Sequence, residues 1–172
     1  FSTWEAAATN IQSAIDAASA GDTVMVAPGT YTAQVTINKN DLTVQGGHGT
    51  LWDADRTIID RQGGNYGVVF SGATNSTLRG FTVMGATSRA IEISGASNEV
   101  SASVIRGNAG SGGIVRNDAF SANLRFSVVA GNSGSGDRPE AVRDNLDGQL
   151  TMDGCVVEAN DPLQLSRVGL VR

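Results

Sequence analysis

The side chains able to do chemistry are few in this chain, and their spacing limits what chemistry is open to them. His48, in "QGGHGT", is the only histidine. No serine or cysteine of the repeating part of the chain has a histidine near it, so a nucleophile–base pair is not apparent. Ser103, Ser127 and Cys155 read instead as small core fillers. Three carboxylates, Asp53, Asp55 and Asp60, crowd into "LWDADRTIID". A glycosidase needs two carboxylates at a set separation across the bond it cleaves, but Asp53 and Asp55 fall in a non-repeating loop between Trp52 and Arg56 and read as solvated. They are the candidates for a calcium site, because hard oxygen ligands suffice for that ion, although the dense Asp/Gly spacing of calcium-binding loops is missing. Trp52 and Tyr66 lie in non-repeating loops and are the candidates for stacking against sugar. Cys155 is the sole cysteine, which excludes an internal disulfide and a thiolate zinc cage.

The charge balance narrows the partners. The formal net charge is −5, which argues against nucleic acid and anionic membrane. It also argues against direct affinity for a polyanionic sugar unless a cation such as Ca2+ bridges the two. No apolar run approaches the length of a membrane span. The chain opens on Phe1 with no signal-peptide pattern, which fits a processed or excised N-terminus and an extracellular or surface location.

Those side chains must be positioned by something, and the pattern of apolar residues says what. Over residues 1–21, Ile11, Ala14, Ile15 and Ala18 recur at helical spacing, with Thr9 or Asn10 as caps of a shorter version and Gly21 at the expected left-handed end. From residue 22 to 172 the period is two: "TVMVA", "QVTIN" and "LTVQG" are short β-branched runs between turn sequences, and no further helix is expected. Between residues 67 and 160 the chain repeats itself. First strands start at Gly67, Ala90, Gly113 and Ala141, and second strands carry the triplets Leu78/Phe81/Val83, Val100/Ser103/Ile105, Leu124/Ser127/Val129 and Met152/Cys155/Val157. One such lap cannot bury its own inner face, but stacked laps can. The recurrent "GN" at Asn108, Asn132 and Asn160 then reads as a corner, each Asn bonding to the next lap.

An amphipathic helix followed by "AIDAASAGDTVMVAPGTY", "TIID" and laps of this length resembles the right-handed parallel β-helix of the pectate-lyase-like superfamily. The resemblance implies an all-β solenoid of about five to six rungs with the helix closing its N-terminal end. It also implies polysaccharide chemistry: lyases, hydrolases and epimerases acting on acidic sugars. "GHG" matches a polygalacturonase motif superficially, but the paired aspartates expected upstream of it are absent. A lyase of this superfamily uses Arg or Lys as base and calcium or cationic side chains against the substrate carboxylate. Glu92, Arg116, Arg143 and Asp144 are placed by the repeat at matching positions of successive first strands and would be its catalytic set. Neighbouring carboxylates oppose the low arginine pKa such a base needs, and a solvated ladder of alternating charges accounts for the same residues.

The second strands put Thr82, Val104, Val128 and Val156 on the outer face. A contiguous apolar row of this kind calls for a covering segment or a partner, here the C-terminal tail or a second copy of the chain. The expectation ranked first is a non-catalytic extracellular module, carbohydrate-binding or structural. The alternatives are a calcium-assisted lyase or epimerase and a self-assembling subunit associating through the valine row or the open C-terminal end.

Overall fold

The structure is a computed structural model. It describes residues 8–111, 115–118, 121–135, 141–144, 149–161, 165–166 and 168–171. The short β-branched runs stack as three parallel sheets of a right-handed solenoid of about five turns. Sheet 1 has seven strands: Thr23–Val26, Thr43–Gly46, Thr77–Arg79, Ala96–Ser101, Ser121–Arg125, Gln149–Asp153 and Val168–Val171. Sheet 2 has six: Gly29–Tyr31, Thr57–Asp60, Thr82–Met84, Val104–Arg106, Val128–Ala130 and Val156–Glu158. Sheet 3 also has six: Val35–Ile37, Tyr66–Phe70, Arg89–Ile93, Val115–Asn117, Val142–Asp144 and Leu165–Ser166. A two-stranded corner sheet, Ala109–Ser111 with Ser133–Ser135, joins sheets 2 and 3 in two of the laps. Each lap alternates inward apolar and outward polar residues, so the interior is a column of stacked side chains. Leu78, Val100, Leu124 and Met152 lie one above another, as do Val83, Ile105, Val129 and Val157.

The N-terminal end of that column is closed by helix α1, Ile11–Ala17. A seven-residue helix is too short to persist alone. It is held by burial of Ile11 and Ile15, worth roughly 2 kcal/mol each. The Asn10 side chain accepts from the Ser13 amide at the start of the helix, and Lys39 Nζ donates to the Asp16 carbonyl at its end. Gln12 clips the helix to sheet 3 through both Thr36 backbone groups. The helix ends at Ala17 with an extended Ala18, so Gly21, at φ +86°, serves the turn into sheet 1 and not the helix terminus.

The predicted corner ladder is present. Asn132 Oδ1 accepts from the Asn108 amide at 3.0 Å, and Asn160 Oδ1 from the Asn132 amide at 3.1 Å. Their Nδ2 groups donate one turn back, Asn132 to the Ile105 carbonyl and Asn160 to that of Val129. All three are buried, so each removes orphaned backbone groups that would otherwise cost about 1–3 kcal/mol apiece. Ser103 and Ser127 form a second ladder at the corner between sheets 1 and 2. Their hydroxyls accept from the Phe81 and Ser103 amides, so they bond backbone and do more than fill space.

Four expectations need correcting. Ile91 pairs with Val115 and not with Ile114, so the third first-strand repeat starts one residue later than its apolar pattern indicated; Gly113 and Ile114 themselves lie outside the described residues. "GIVRN" offers two adjacent apolar residues to one inward position, and the extra corner strand Ala109–Ser111 lengthens the lap that precedes it. Second, residues 51–56 form a 3-10 helix, Leu51–Arg56, lying against sheets 1 and 2 with Ala54 fully buried. Third, this helix packs on the strands of Ile58, Thr82 and Val104 and covers the N-terminal end of the outer row on sheet 2, leaving Thr82 buried and Val156 46% exposed. Last, the C-terminal segment supplies strands Leu165–Ser166 and Val168–Val171 to sheets 3 and 1, so those strands do not cover the valines.

Candidate active face

The charged row nominated from the sequence lies on the outside of sheet 3. Glu92 is in register with Arg116, and Arg116 with Arg143, each step one strand spacing of about 4.8 Å. Only the backbone register of Arg116 is described; its side chain lies outside the described residues. Glu92 pairs with Arg89, whose guanidinium also sits 5.6 Å from the centre of the Tyr66 ring. Asp144 does not belong to this row. It aligns with Asn117 and Ile93, is buried, and accepts from the Leu150 amide at 3.0 Å with Oδ2. The repeat places Arg143 and Asp144 in one row, but adjacent strand residues face opposite ways, and Asp144 satisfies the chain where sheet 3 turns into sheet 1.

A second polar face, on the outside of sheet 1, was not singled out in the sequence. Strand alternation exposes the residues either side of the inward column Leu78/Val100/Leu124/Met152. One row is Thr77, Glu99, Asn123 and Thr151; the other is Arg79, Ser101, Arg125 and Asp153. Within this face Arg125 Nη1 lies 3.7 Å from Glu99 Oε2, with the two side chains 46% and 29% exposed. A pair this open contributes at most about 1 kcal/mol to stability, so its geometry matters more for what it presents to solvent. Asn123 aligns directly with Glu99, and Asp153 with Arg125. Arg79 is fixed by donating Nε and Nη2 to the Gly49 carbonyl at 3.2 and 2.9 Å, which ties the start of the 51–56 insertion to this sheet. A carboxylate, an amide and guanidinium groups within neighbouring strands can activate water and stabilise an oxyanion.

The other nominated residues are scattered. Trp52 stands 92% exposed on the 3-10 helix, between sheets 1 and 2, whereas Tyr66 opens a strand of sheet 3 beneath Arg89; the fold does not bring the two together. Asp53 accepts from the Thr50 hydroxyl at 3.0 Å and lies 3.8 Å from Arg56, while Asp55 is exposed. Asp53 therefore already has a cation beside it, and no group of three His, Cys, Asp or Glu residues capable of holding a metal occurs among the described residues. The donor set at Asp53 and Asp55 does not fit calcium. Val104 and Val128 are half-buried in the outer row of sheet 2, aligned with Val156.

Cys155 closes the serine ladder. Its thiol donates to the Leu124 carbonyl at 3.2 Å, and burial pushes its pKa up. Thiolate is the reactive form, so iodoacetamide at pH 8 is expected to label Cys155 at least tenfold more slowly in the native protein than in urea. Equal rates would contradict its half-buried position.

The coil is similar to solved structures of the pectin methylesterase from Aspergillus niger. A deglycosylated form retaining an N-acetylglucosamine stub superposes with a TM-score of 0.58 at 17% identity, and a further deglycosylated form with 0.56 at 18%. In both, the match covers 93% of this chain and 66% of the other, so this chain spans just under two thirds of the enzyme's length. No family model matches the sequence, and no curated protein matches it. The fold is thus a right-handed parallel β-helix like that of these solved structures. The expectation of a non-catalytic module is corrected by this likeness: the solved structures that share the coil are of a pectin methylesterase. That expectation rests on the small size, the absence of a catalytic signature, the acidic charge and the valine row. No helix among the described residues is long and apolar enough to cross a membrane.

Proposed function

We propose that this chain modifies an acidic polysaccharide of the pectin class by hydrolysing its carboxylic esters on the outer face of sheet 1. The observation that carries the reading is the Glu99–Arg125 pair, 3.7 Å apart, with Asn123 in register beside Glu99 on an open surface. Its context is the likeness of the coil to pectin methylesterase over 93% of the chain. In this reading Glu99 takes a proton from a water molecule as the water oxygen attacks the ester carbonyl. The charge that develops on the carbonyl oxygen is met by the Arg125 guanidinium and the Asn123 amide, both preorganised by the strands that carry them. Collapse of the tetrahedral intermediate breaks the acyl–oxygen bond, Glu99 returns the proton to the departing alkoxide, and the products are methanol and a uronic acid, which loses its proton to solvent. Water and ester are consumed in equal number, and no step needs a cofactor.

The reading favours hydrolysis over calcium-assisted elimination for two reasons. Burial of Asp144 breaks up the row nominated for a lyase, and Asp53 and Asp55 make a poor calcium site. The test is incubation with highly methyl-esterified pectin and with polygalacturonate, following methanol release and the ultraviolet absorbance of unsaturated products, with and without EDTA. Methanol release insensitive to EDTA is expected. Unsaturated product without methanol would replace this reading with elimination, and silence in both assays would overturn it.

A further inference from the structure

We infer that the corner between sheets 1 and 2, near the helix-capped end, holds a binding site for one uncharged pyranose unit, with Trp52 as a stacking platform beside it. A cleft of about 210 Å³ opens there, lined by Met25, Pro28, His48, Asp53 and Arg56 among others. Sites for drug-sized ligands run from roughly 300 Å³ upward, so this one suits a single ring. In a 3-10 helix, residues three apart eclipse one another, and Leu51–Arg56 therefore has three distinct sides. Leu51 and Ala54 turn toward the coil, Asp53 and Arg56 line the cleft, and Trp52 and Asp55 stand in solvent. The insertion is fixed from outside by Arg79 on the Gly49 carbonyl and from inside by Ala54, so its polar groups are held in place.

The chemistry of the lining selects the ligand. Met25 and Pro28 give an apolar wall for the C–H face of a sugar. Asp53 accepts and Arg56 donates, and such forked side chains suit adjacent hydroxyls. The opposite charges of Asp53 and Arg56, 3.8 Å apart, cancel, so a free uronate carboxylate gains little there and meets Asp53. A neutral sugar or an esterified uronate meets no such penalty. An indole 92% exposed on an anchored helix is an amphipathic platform of the kind that stacks on a ring. This inference deepens the reading above: the cleft lies on the first turns of the coil and Glu99 three strands further along sheet 1, about 15 Å away at one strand spacing per turn. One oligosaccharide spans that distance, entering the cleft by a residue that is still esterified.

The test uses the full chain with Trp4→Phe, which leaves Trp52 as the only tryptophan. Emission is titrated with fully methyl-esterified hexagalacturonate and with the free acid. A saturable blue shift with the ester is expected, with binding at least tenfold weaker for the acid and at least tenfold weaker for the ester when Arg56→Ala is added. Should Trp4→Phe fail to fold, the difference between the native chain and Trp52→Phe gives the same readout. No spectral change, acid binding as tight as ester, or no effect of Arg56→Ala would overturn the inference. Glu99→Gln in the same background stops turnover during the titration. Methanol release without a Trp52 response would sink this inference alone; a Trp52 response in a chain that releases no methanol would sink only the proposed esterase activity.

Discussion

Glu99→Gln is expected to lower kcat for methanol release from esterified pectin by about 10²–10⁴-fold, the usual contribution of a positioned general base. Gln keeps the size of the side chain and its place beside Arg125, but it cannot accept a proton from water. KM should change by less than threefold, because the loss falls on the transition state and not on ground-state binding. Arg125→Ala, by contrast, removes oxyanion support and should cost about 10²-fold or more in kcat. Since the pair is open to solvent, neither substitution should shift Tm by more than a few degrees. Steady-state kinetics with a thermal melt on each variant checks both halves. An unaltered kcat in Glu99→Gln would remove Glu99 from the chemistry.

Asn132→Ala is expected to destabilise the coil by about 3–5 kcal/mol, well above the ordinary effect of a point substitution. The substitution removes the acceptor of the Asn108 amide and the donor to the Ile105 and Ala130 carbonyls, all at a buried corner. At least two backbone groups are then left without partners, at about 1–3 kcal/mol each. The loss also breaks the chain of side-chain bonds from Asn108 to Asn160. A solenoid lap depends on its neighbours, so the damage spreads to the adjacent turns. For a chain of this length the corresponding fall in Tm is about 10 °C. Ser133→Ala, at the exposed neighbouring position, should change stability by less than about 0.5 kcal/mol. Urea melts on the two variants give the comparison, and a loss below 1 kcal/mol for Asn132→Ala would contradict the ladder's structural role.

What could be read from the sequence follows from how the coil is built. Where each strand offers one apolar residue per inward position, alignment of the repeats gives the register even when laps differ in length: Val104, Val128 and Val156 align as expected, and so do Val129 and Val157. Where two adjacent apolar residues compete for one inward position, as in "GIVRN", the pattern is ambiguous by one residue, and Ile91 meets Val115. Asp144 directly follows Arg143, so strand alternation turns it to the opposite face, where its carboxylate accepts from the Leu150 amide and satisfies a corner. The insertion Leu51–Arg56 has no counterpart in the next lap, so no repeat could place it. The outer face of sheet 1 was within reach: stepping one residue either side of Leu78, Val100, Leu124 and Met152 gives Arg79, Glu99, Arg125 and Asp153. The ion pair between successive strands of sheet 1 lies where two matching columns of the repeat predict it.

The central claim is that substrate lies on the outside of sheet 1. The most direct measurement is a set of backbone amide NMR spectra of the Glu99→Gln protein, recorded as methyl-esterified hexagalacturonate is added. Perturbations should concentrate at Glu99, Ser101, Asn123 and Arg125, and continue to His48 and Trp52. A response centred on Glu92 and Arg143 on sheet 3, or none at saturating ligand, would contradict the account.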